Sequence, residues 1–321
     1  MRRGALSLEF AGFLGNSDLK QRLSASFSAG KMSHCYLICG PAGSGKRTLA
    51  RILAAAMECG ERNAPCGCCS DCRKTLDGCH PDVITIDEPE KKTVSVELIR
   101  QLQADAYVRP NEGPRKIYVI PRAQDMTDSA QNALLKLMEE PPAYVVFLLL
   151  TDNAEKLLPT VRSRCAELRL EPVGEREALP WLQRQFPQKD AQSVRAAWSR
   201  AGGFLGQAKD LLQGELQLPQ TTQFAQAYAA GDRYGLTLLL CSMEKLPRDK
   251  LLEVLSQWKQ LVTDALLVRA GLPGGPEATA LGQHRTAPAL AAAANLIQQA
   301  MEHCTANLGA GHICGWLAVN L

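Results

Sequence analysis

Short apolar runs alternate with segments of helical periodicity along the first half of the chain. The runs predict strands at 34–39, 82–86, 116–120 and 144–150. The segments between them carry apolar residues at helical spacing, and one of them opens at a candidate N-cap, Ser95. Because parallel strands need long crossover connections, which are usually helices, this alternation predicts an α/β fold with a parallel sheet.

The pattern changes after about Cys165. A short apolar stretch at 166–170 predicts one more strand, and the sequence beyond it is mostly helical. Apolar residues at helical spacing predict helices at 175–185, 190–201 and 206–212. A third region begins at Pro219, and we interpret Trp258 as a packing residue of a long helix within it. We expect the last helix to begin near Ala289.

The composition is that of an ordinary globular protein, with 46% hydrophobic and 21% charged residues. Its 321 residues correspond to roughly two domains. The net charge of +3 is too small to indicate nucleic-acid binding, and an aromatic content of 5% disfavours a base-stacking surface. The longest apolar run, 144–150, is far shorter than the ~20 residues of a membrane span, so we expect a cytoplasmic protein.

A glycine-rich turn, GPAGSGK at 40–46, connects a predicted strand to a predicted helix. In that context backbone N–H groups and the helix N-terminus can hold phosphates, which favours a phosphate loop over a plain strand–helix turn. A Ser or Thr should follow the lysine to bind Mg²⁺, but Arg47 occupies that position. Thr48 is one residue further on, so its side chain points about 100° away around the helix axis. Magnesium–nucleotide chemistry is therefore expected to be weak. The candidate phosphate-binding residues are Gly40, Gly43, Gly45, Lys46 and Thr48.

The strand predicted at 116–120 lacks the acidic end that such a site needs. A carboxylate there would hold the metal, and in many ATPases a neighbouring carboxylate activates water. Here the strand is followed by Pro121-Arg122, and Asp125 comes later, on what we expect to be a solvated turn. Both defects predict that the chain hydrolyses ATP poorly or not at all.

Six of the twelve cysteines fall between residues 59 and 79. In a reducing compartment such a cluster favours a metal site over disulfides. The spacing C-x6-C-x2-C-x2-C predicts a structural zinc site, since four thiolates leave no open position for water. The predicted ligands are Cys59, Cys66, Cys69 and Cys72. Cys68 competes with Cys69 as a ligand, and Cys79 or His80 could substitute for one of the four.

Several further stretches carry a family resemblance. They are FLGN at 13–16 followed by GKMSHCYL at 30–37, HPD at 80–82, NALLKLMEEPP at 132–142 and SRC at 163–165. With the phosphate loop and the cysteine cluster, they resemble the clamp-loader subunits of bacterial DNA polymerase III, which are AAA+ proteins. The resemblance extends over about residues 10–212, and beyond it only the helical character agrees.

The resemblance implies a RecA-like AAA+ parallel-sheet domain with a zinc module, followed by a helical lid and a helical C-terminal collar domain. The implied boundaries are 1–165 for the AAA+ ATPase-like domain, with the zinc module at about 59–82, then 166–212 for the lid and 213–321 for the collar.

Within this family, the gamma or tau subunits are ATPase motors and other subunits are stators. The motors keep the hydroxyl after the phosphate-loop lysine, the acidic strand end and a lid arginine, where this chain has Arg47, Pro121-Arg122 and Gly206-Gln207. The chain therefore resembles the delta-prime stators of DNA polymerase III. We expect it not to hydrolyse ATP, and the binding of ATP or ADP stays open.

The SRC motif implies that Arg164 acts as a catalytic arginine finger in trans, reaching into the ATP site of a neighbouring subunit. Such a finger contributes ~10³–10⁵ in rate. The implied partners are the gamma or tau and delta subunits in a five-membered ring. The sliding clamp and primed DNA would be reached through that complex.

Two other functions stay open at this point. One is an active gamma-type ATPase in which Thr48 or water replaces the missing metal ligand, and magnesium-dependent turnover by the chain alone would reveal it. The other is a zinc-dependent DNA-binding protein on a degenerate phosphate-loop fold, which predicts tight, strongly salt-dependent DNA binding.

Overall fold

The computed structural model describes residues 7–88, 90–91, 93–213, 218–272, 274–306 and 308–321. The chain forms two compact units. One comprises Met1–Arg184 with Ala201–Ala208, and the other comprises Gln185–Arg200 with Lys209–Leu321. The predicted division into three domains stays a prediction, and its first boundary, at residue 1, lies outside the described residues.

A five-stranded parallel sheet forms the centre of the first unit. The strands of the chain are β1 (Ser7–Leu8), β2 (Cys35–Cys39), β3 (Asn63–Ala64), β4 (Val83–Thr85), β5 (Lys116–Ile120), β6 (Val145–Thr151) and β7 (Ala166–Arg169). The main sheet has the order β4-β5-β6-β2-β7, and β1 and β3 form a separate two-stranded parallel sheet. This confirms the expected α/β parallel-sheet fold followed by helices.

The helices are bounded as follows. They are α1 (Ser17–Ser28), α2 (Lys46–Glu58), α3 (Ser70–Asp77), α4 (Val96–Ala106), α5 (Asp128–Glu139), α6 (Pro159–Arg162), α7 (Glu175–Gln185), α8 (Ala191–Arg200), α9 (Leu205–Gln213), α10 (Pro219–Ala230), α11 (Arg233–Met243), α12 (Arg248–Arg269), α13 (Pro276–His284), α14 (Ala287–Thr305) and α15 (Ala310–Asn320). Ser95 caps α4 as expected, since its side chain accepts a hydrogen bond from the amide of Leu98. The described part of the chain holds no helix with the length and apolar character to cross a bilayer.

Both faces of the main sheet are buried, and alternate residues of each strand serve opposite faces. In β2, Tyr36 and Ile38 share one core with α1 and α2, whereas Cys35 and Leu37 belong to the core on the α4 and α5 side. The seven residues of β6 are all buried, which explains why this strand reads as a continuous apolar run.

The order of the strands reverses around β2, which pairs with β6 on one side and β7 on the other. In such sheets a crevice opens at the carboxyl ends of the strands where the order reverses. The glycine-rich turn leaves β2 at this point, and the amide of Gly40 donates to the carbonyl of Thr151 at the end of β6 (3.1 Å). The fold thus places the predicted phosphate loop where α/β proteins bind ligands.

The second unit is a bundle of helices around its own apolar core. Trp258 of α12 is fully buried and stacks on Phe224 of α10, with ring centroids 4.2 Å apart. Its interpretation as a packing residue is therefore confirmed. The Ala-rich helix α14 is not the last, because α15 follows it, and the glycines at 309, 311 and 315 concealed that helix in the sequence.

Candidate functional site

The ammonium group of Lys46 is turned back onto its own loop. Its Nζ donates to the carbonyl oxygens of Gly40 (2.6 Å) and Pro41 (2.8 Å) and to Oδ1 of Asp152 (2.5 Å). Asp152 follows β6 directly, so the strand order brings it to the loop. Since a lysine ammonium has three donors, all of them are engaged within the chain. A phosphate at this loop would have to compete for them.

The start of α9 packs directly on the phosphate loop. The amide of Gly206 donates to the carbonyl of Gly43 (2.9 Å), and the side chain of Gln207 donates to the carbonyl of Ala42 (2.7 Å). Gly43 has a positive φ of 72°, and a Cβ added there would lie 2.5 Å from the amide nitrogen of Gln207. Arg47 and Thr48 are both exposed on α2.

The end of β5 is followed by Arg122, at the place where a metal-binding site would need a carboxylate. The guanidinium of Arg122 forms an ion pair with Asp87 (2.7 Å) and donates to the backbone carbonyls of Glu88 and Lys91. Asp125 lies on a short 3₁₀ helix after the strand and approaches Arg122 at 3.8 Å. This cluster fixes the loop before α4, and both carboxylates near the strand end are paired with Arg122.

Arg164 lies just beyond α6, on a segment tied down by its own backbone. Its Nη1 donates to the carbonyl of Thr160 (2.8 Å), and Nη2 forms an ion pair with Glu139 at the end of α5. The side chain of Arg164 is 34% exposed, so part of the guanidinium faces solvent. Ser163 donates to the same carbonyl of Thr160 (3.1 Å) and shapes the turn.

The structure brings four of the clustered cysteines together between α2 and α3. The sulfur atoms of Cys59, Cys66, Cys69 and Cys72 all lie within 4.8 Å of one another. A tetrahedral ion with Zn–S bonds of about 2.3 Å places its sulfurs about 3.8 Å apart, and the Sγ atoms of Cys66 and Cys72 are 3.9 Å apart. These four residues could hold a metal ion, and the spacing of their donors fits one of zinc's size.

Backbone amides support a thiolate in this cluster. The amides of Cys69 and Cys72 point at the sulfurs of Cys66 (3.3 Å) and Cys69 (3.4 Å), respectively. The N–H groups of Cys69 and Cys68 lower the pKa of Cys66 to about 6, because they stabilise the charged form. Of these sulfurs, that of Cys66 is favoured as the thiolate that metal ions prefer, whereas burial raises the pKa of Cys59 and Cys72.

The competing ligands lie apart from this group. Cys68 is exposed, and although its sulfur is 3.6 Å from that of Cys66, it is not one of the four residues whose sulfurs all lie within 4.8 Å of one another. Cys79 is also exposed. His80 is buried beside Asp71 and Glu112, in a second cluster of candidate donors.

Comparison with known proteins places the chain among replication proteins. A family model described as "DNA polymerase III, delta subunit" matches residues 15–174. The delta′ subunit of DNA polymerase III from Escherichia coli is 35% identical over 226 residues, which cover 68% of this chain and 67% of that protein. This chain belongs to the family of DNA polymerase III clamp-loader subunits.

Other relatives in the clamp-loader family include both delta′ and gamma subunits. The delta′ subunit of Pseudomonas aeruginosa is 36% identical over 175 residues, covering 53% of each chain. The gamma subunit of Buchnera aphidicola is 31% identical over 215 residues, covering 65% of this chain and 59% of that protein. The chain thus spans about half to two thirds of the length of these relatives. The range matched by the family model contains the phosphate loop, the cysteine cluster at 59–79 and Arg164.

The HPD stretch of this clamp-loader subunit holds a loop in place. Asp82 is fully buried, and its carboxylate accepts hydrogen bonds from the amides of Asn111, Glu112 and Gly113 at 2.6–2.9 Å. Burial by itself raises the pKa of Asp82, but these N–H donors outweigh it and lower the pKa below its ordinary value.

Two side chains at the site of this clamp-loader subunit carry roles that the sequence did not reveal. Gln131 of α5 is buried and accepts a hydrogen bond from the amide of Leu158 (2.7 Å), and Glu139 pairs with Arg164. Both lie in or beside the NALLKLMEEPP stretch, at 132–142. Their partners are 25 or more residues away, so local spacing gives no signal for them.

Proposed function

We propose that this chain is a non-hydrolysing, delta-prime-type stator of the DNA polymerase III clamp loader, supporting ATP-driven loading of the sliding clamp onto primed DNA. The observation that carries the proposal is the state of the phosphate loop, where all three donors of Lys46 are engaged within the chain. The cation at the end of β5, Arg122, supports it independently, because a divalent metal needs an anionic ligand there.

In this proposal Arg164 acts on the ATP of a neighbouring gamma or tau subunit. Its side chain is partly exposed, and the short segment that carries it is held by hydrogen bonds. The guanidinium can therefore bind phosphate oxygens without further ordering of the chain. It would stabilise the charge that spreads over the transferring phosphoryl group. The further partners are the delta subunit in a five-membered ring, with the clamp and the primer–template DNA reached through that ring.

We further propose that Cys59, Cys66, Cys69 and Cys72 hold a structural Zn²⁺. The separation of their sulfurs and the thiolate character of Cys66 support a soft, tetrahedral ion. When bound, the ion would fix the segment between α2 and α3, and it would supply no catalysis because four thiolates complete its coordination.

The decisive experiment combines two measurements of ATP turnover. The purified chain alone should show no magnesium-dependent hydrolysis above background. In a ring reconstituted with the motor and delta subunits of the same cell, Arg164→Ala should lower the DNA- and clamp-stimulated ATPase by at least ~10²-fold while assembly is retained. Arg162→Ala, two residues away on α6, is the matched control and should leave turnover near wild type. An unchanged rate with Arg164→Ala, in an assembled ring, contradicts the proposal.

An active gamma-type ATPase is the second candidate, favoured by the 31% identity to a gamma subunit. It predicts turnover by the isolated chain that is abolished by Lys46→Ala. It also requires Lys46 to leave Asp152 and the loop carbonyls when nucleotide binds, because those groups now occupy its donors. The same assay on the purified chain separates the two candidates.

A further inference from the structure

The ion pair between Arg164 and Glu139 joins two parts of the site that the sequence keeps 25 residues apart. Neither side chain is buried, since Glu139 is 48% and Arg164 is 34% exposed. A pair this open contributes little to folding stability, so its importance does not lie there. Its effect is on the direction in which the guanidinium points.

Helix α5 contacts both ends of the segment that carries Arg164. Near its start, Gln131 accepts from the amide of Leu158, the residue just before α6. At its last residue, Glu139 holds the guanidinium beyond α6. Eight residues of helix separate the two positions, which is about 12 Å along the axis. The segment is thus anchored by its backbone at one end and by its functional side chain at the other.

The pair leaves much of the guanidinium available. Arginine has five N–H donors in a planar fork, and the hydrogen bonds to Thr160 and Glu139 use one donor on each terminal nitrogen. Held at two points, the plane of the guanidinium has lost most of its freedom to rotate. An incoming phosphate then meets an oriented group, and little side-chain entropy is lost when the contact forms.

We propose that Glu139 is a positioning residue for Arg164, which orients the guanidinium for the ATP of the adjacent subunit. This inference rests on the proposed function of Arg164. Glu139 itself does not touch nucleotide in this scheme, and its carboxylate acts through the arginine alone. Removing the carboxylate while keeping the shape of the side chain therefore slows turnover without changing the affinity of the motor subunits for ATP.

The test uses the reconstituted ring with Glu139→Gln, which is isosteric and uncharged. The kcat of the stimulated ATPase should fall about three- to tenfold with KM for ATP unchanged, because a misoriented group weakens only the transition-state contact. Glu140→Gln is the matched control, since the neighbouring carboxylate is exposed, and it should retain the wild-type kcat. Glu139→Asp, which keeps the charge on a shorter stem, should recover part of the loss. Equal melting temperatures of the free chains confirm that folding is intact.

A double variant separates this inference from the proposed function. In the Arg164→Ala background, Glu139→Gln should cause no further loss, because its only route of action is gone. A kcat at or above wild type for Glu139→Gln overturns the positioning role, as does a loss that persists undiminished without Arg164. If Arg164→Ala alone leaves turnover unchanged, the proposed function fails first, and the inference fails with it.

Discussion

At the scale of the residue, the charged groups of this clamp-loader subunit differ in how completely they are paired. Lys46 of the phosphate loop and Arg122 beyond β5 are both held by carboxylates and carbonyls of the same chain, through all three donors of the lysine and four of the five donors of the arginine. Among the described residues, Arg164 has one carboxylate partner, the exposed Glu139, and its two hydrogen bonds leave other donors free for a further contact. This difference in pairing is consistent with the role proposed for Arg164 on a neighbouring subunit.

Asp82 gives a prediction at this scale. Asp82→Asn should destabilise the chain by about 1–3 kcal/mol at pH 7, because the amide cannot accept from all the N–H groups that face it. Since the pKa of Asp82 is lowered by folding, its ionised form stabilises the protein above the unfolded value near 3.9. That contribution is lost as the pH falls through the lower, folded pKa. Urea denaturation should therefore show a difference in unfolding free energy between variant and wild type that is largest at pH 7 and decreases below about pH 4.

An exposed carboxylate provides the control for Asp82. Asp77→Asn, at the end of α3, should leave the unfolding free energy within about 0.5 kcal/mol of wild type at either pH. A gap for Asp82→Asn that stays constant down to pH 3 would show that its stabilisation does not depend on the ionised carboxylate.

At the scale of the element, the strands and helices of the main sheet follow the sequence closely. The strand predicted at 116–120 matches β5 exactly in extent, and Ser95 caps α4. These predictions succeed because strands buried on both faces are continuous apolar runs. The two-residue strands β1 and β3 were missed, since two residues carry no periodicity, and α3 was hidden among the cysteines.

The cysteine cluster gives the prediction at this scale. The purified chain should contain about one zinc, and Cys72→Ser should lose it, because Cys72 is the buried member of the four. Metal content by atomic spectroscopy and hydrogen exchange of the α3 amides would be measured together, and exchange should speed up when the metal is lost. Cys68→Ser is the matched control and should keep both the metal and the protection. Equal metal loss in the two variants would mean that the ligand set differs from the four proposed.

At the scale of the whole molecule, the chain has separate cores, two on the faces of the sheet and one in the helical unit. The sequence predicted the first unit in detail because its motifs are local. The long-range partners of Lys46, Arg122 and Arg164 could not be predicted, since they depend on strand order rather than spacing.

The core of the helical unit supplies the last prediction. Trp258→Ala should destabilise this unit by about 3–5 kcal/mol, because it removes a fully buried ring stacked on Phe224. Calorimetry of the full chain should show an unfolding transition at a lower temperature than in the wild type. Trp316→Ala, at a half-buried position, is the control and should cost clearly less. Equal losses for the two variants would contradict the central place of Trp258 in this core.

The contact of α9 with the phosphate loop depends on two positions that lack side chains. A methyl group on Gly206 would fall 2.5 Å from the Cα of Gly43, and one on Gly43 would collide with the backbone of α9 in turn. The packing of α9 on the loop therefore rests on a close approach of bare backbone at both positions. Alanine at either glycine would force α9 and the loop apart, so this contact can be lost without altering any charge.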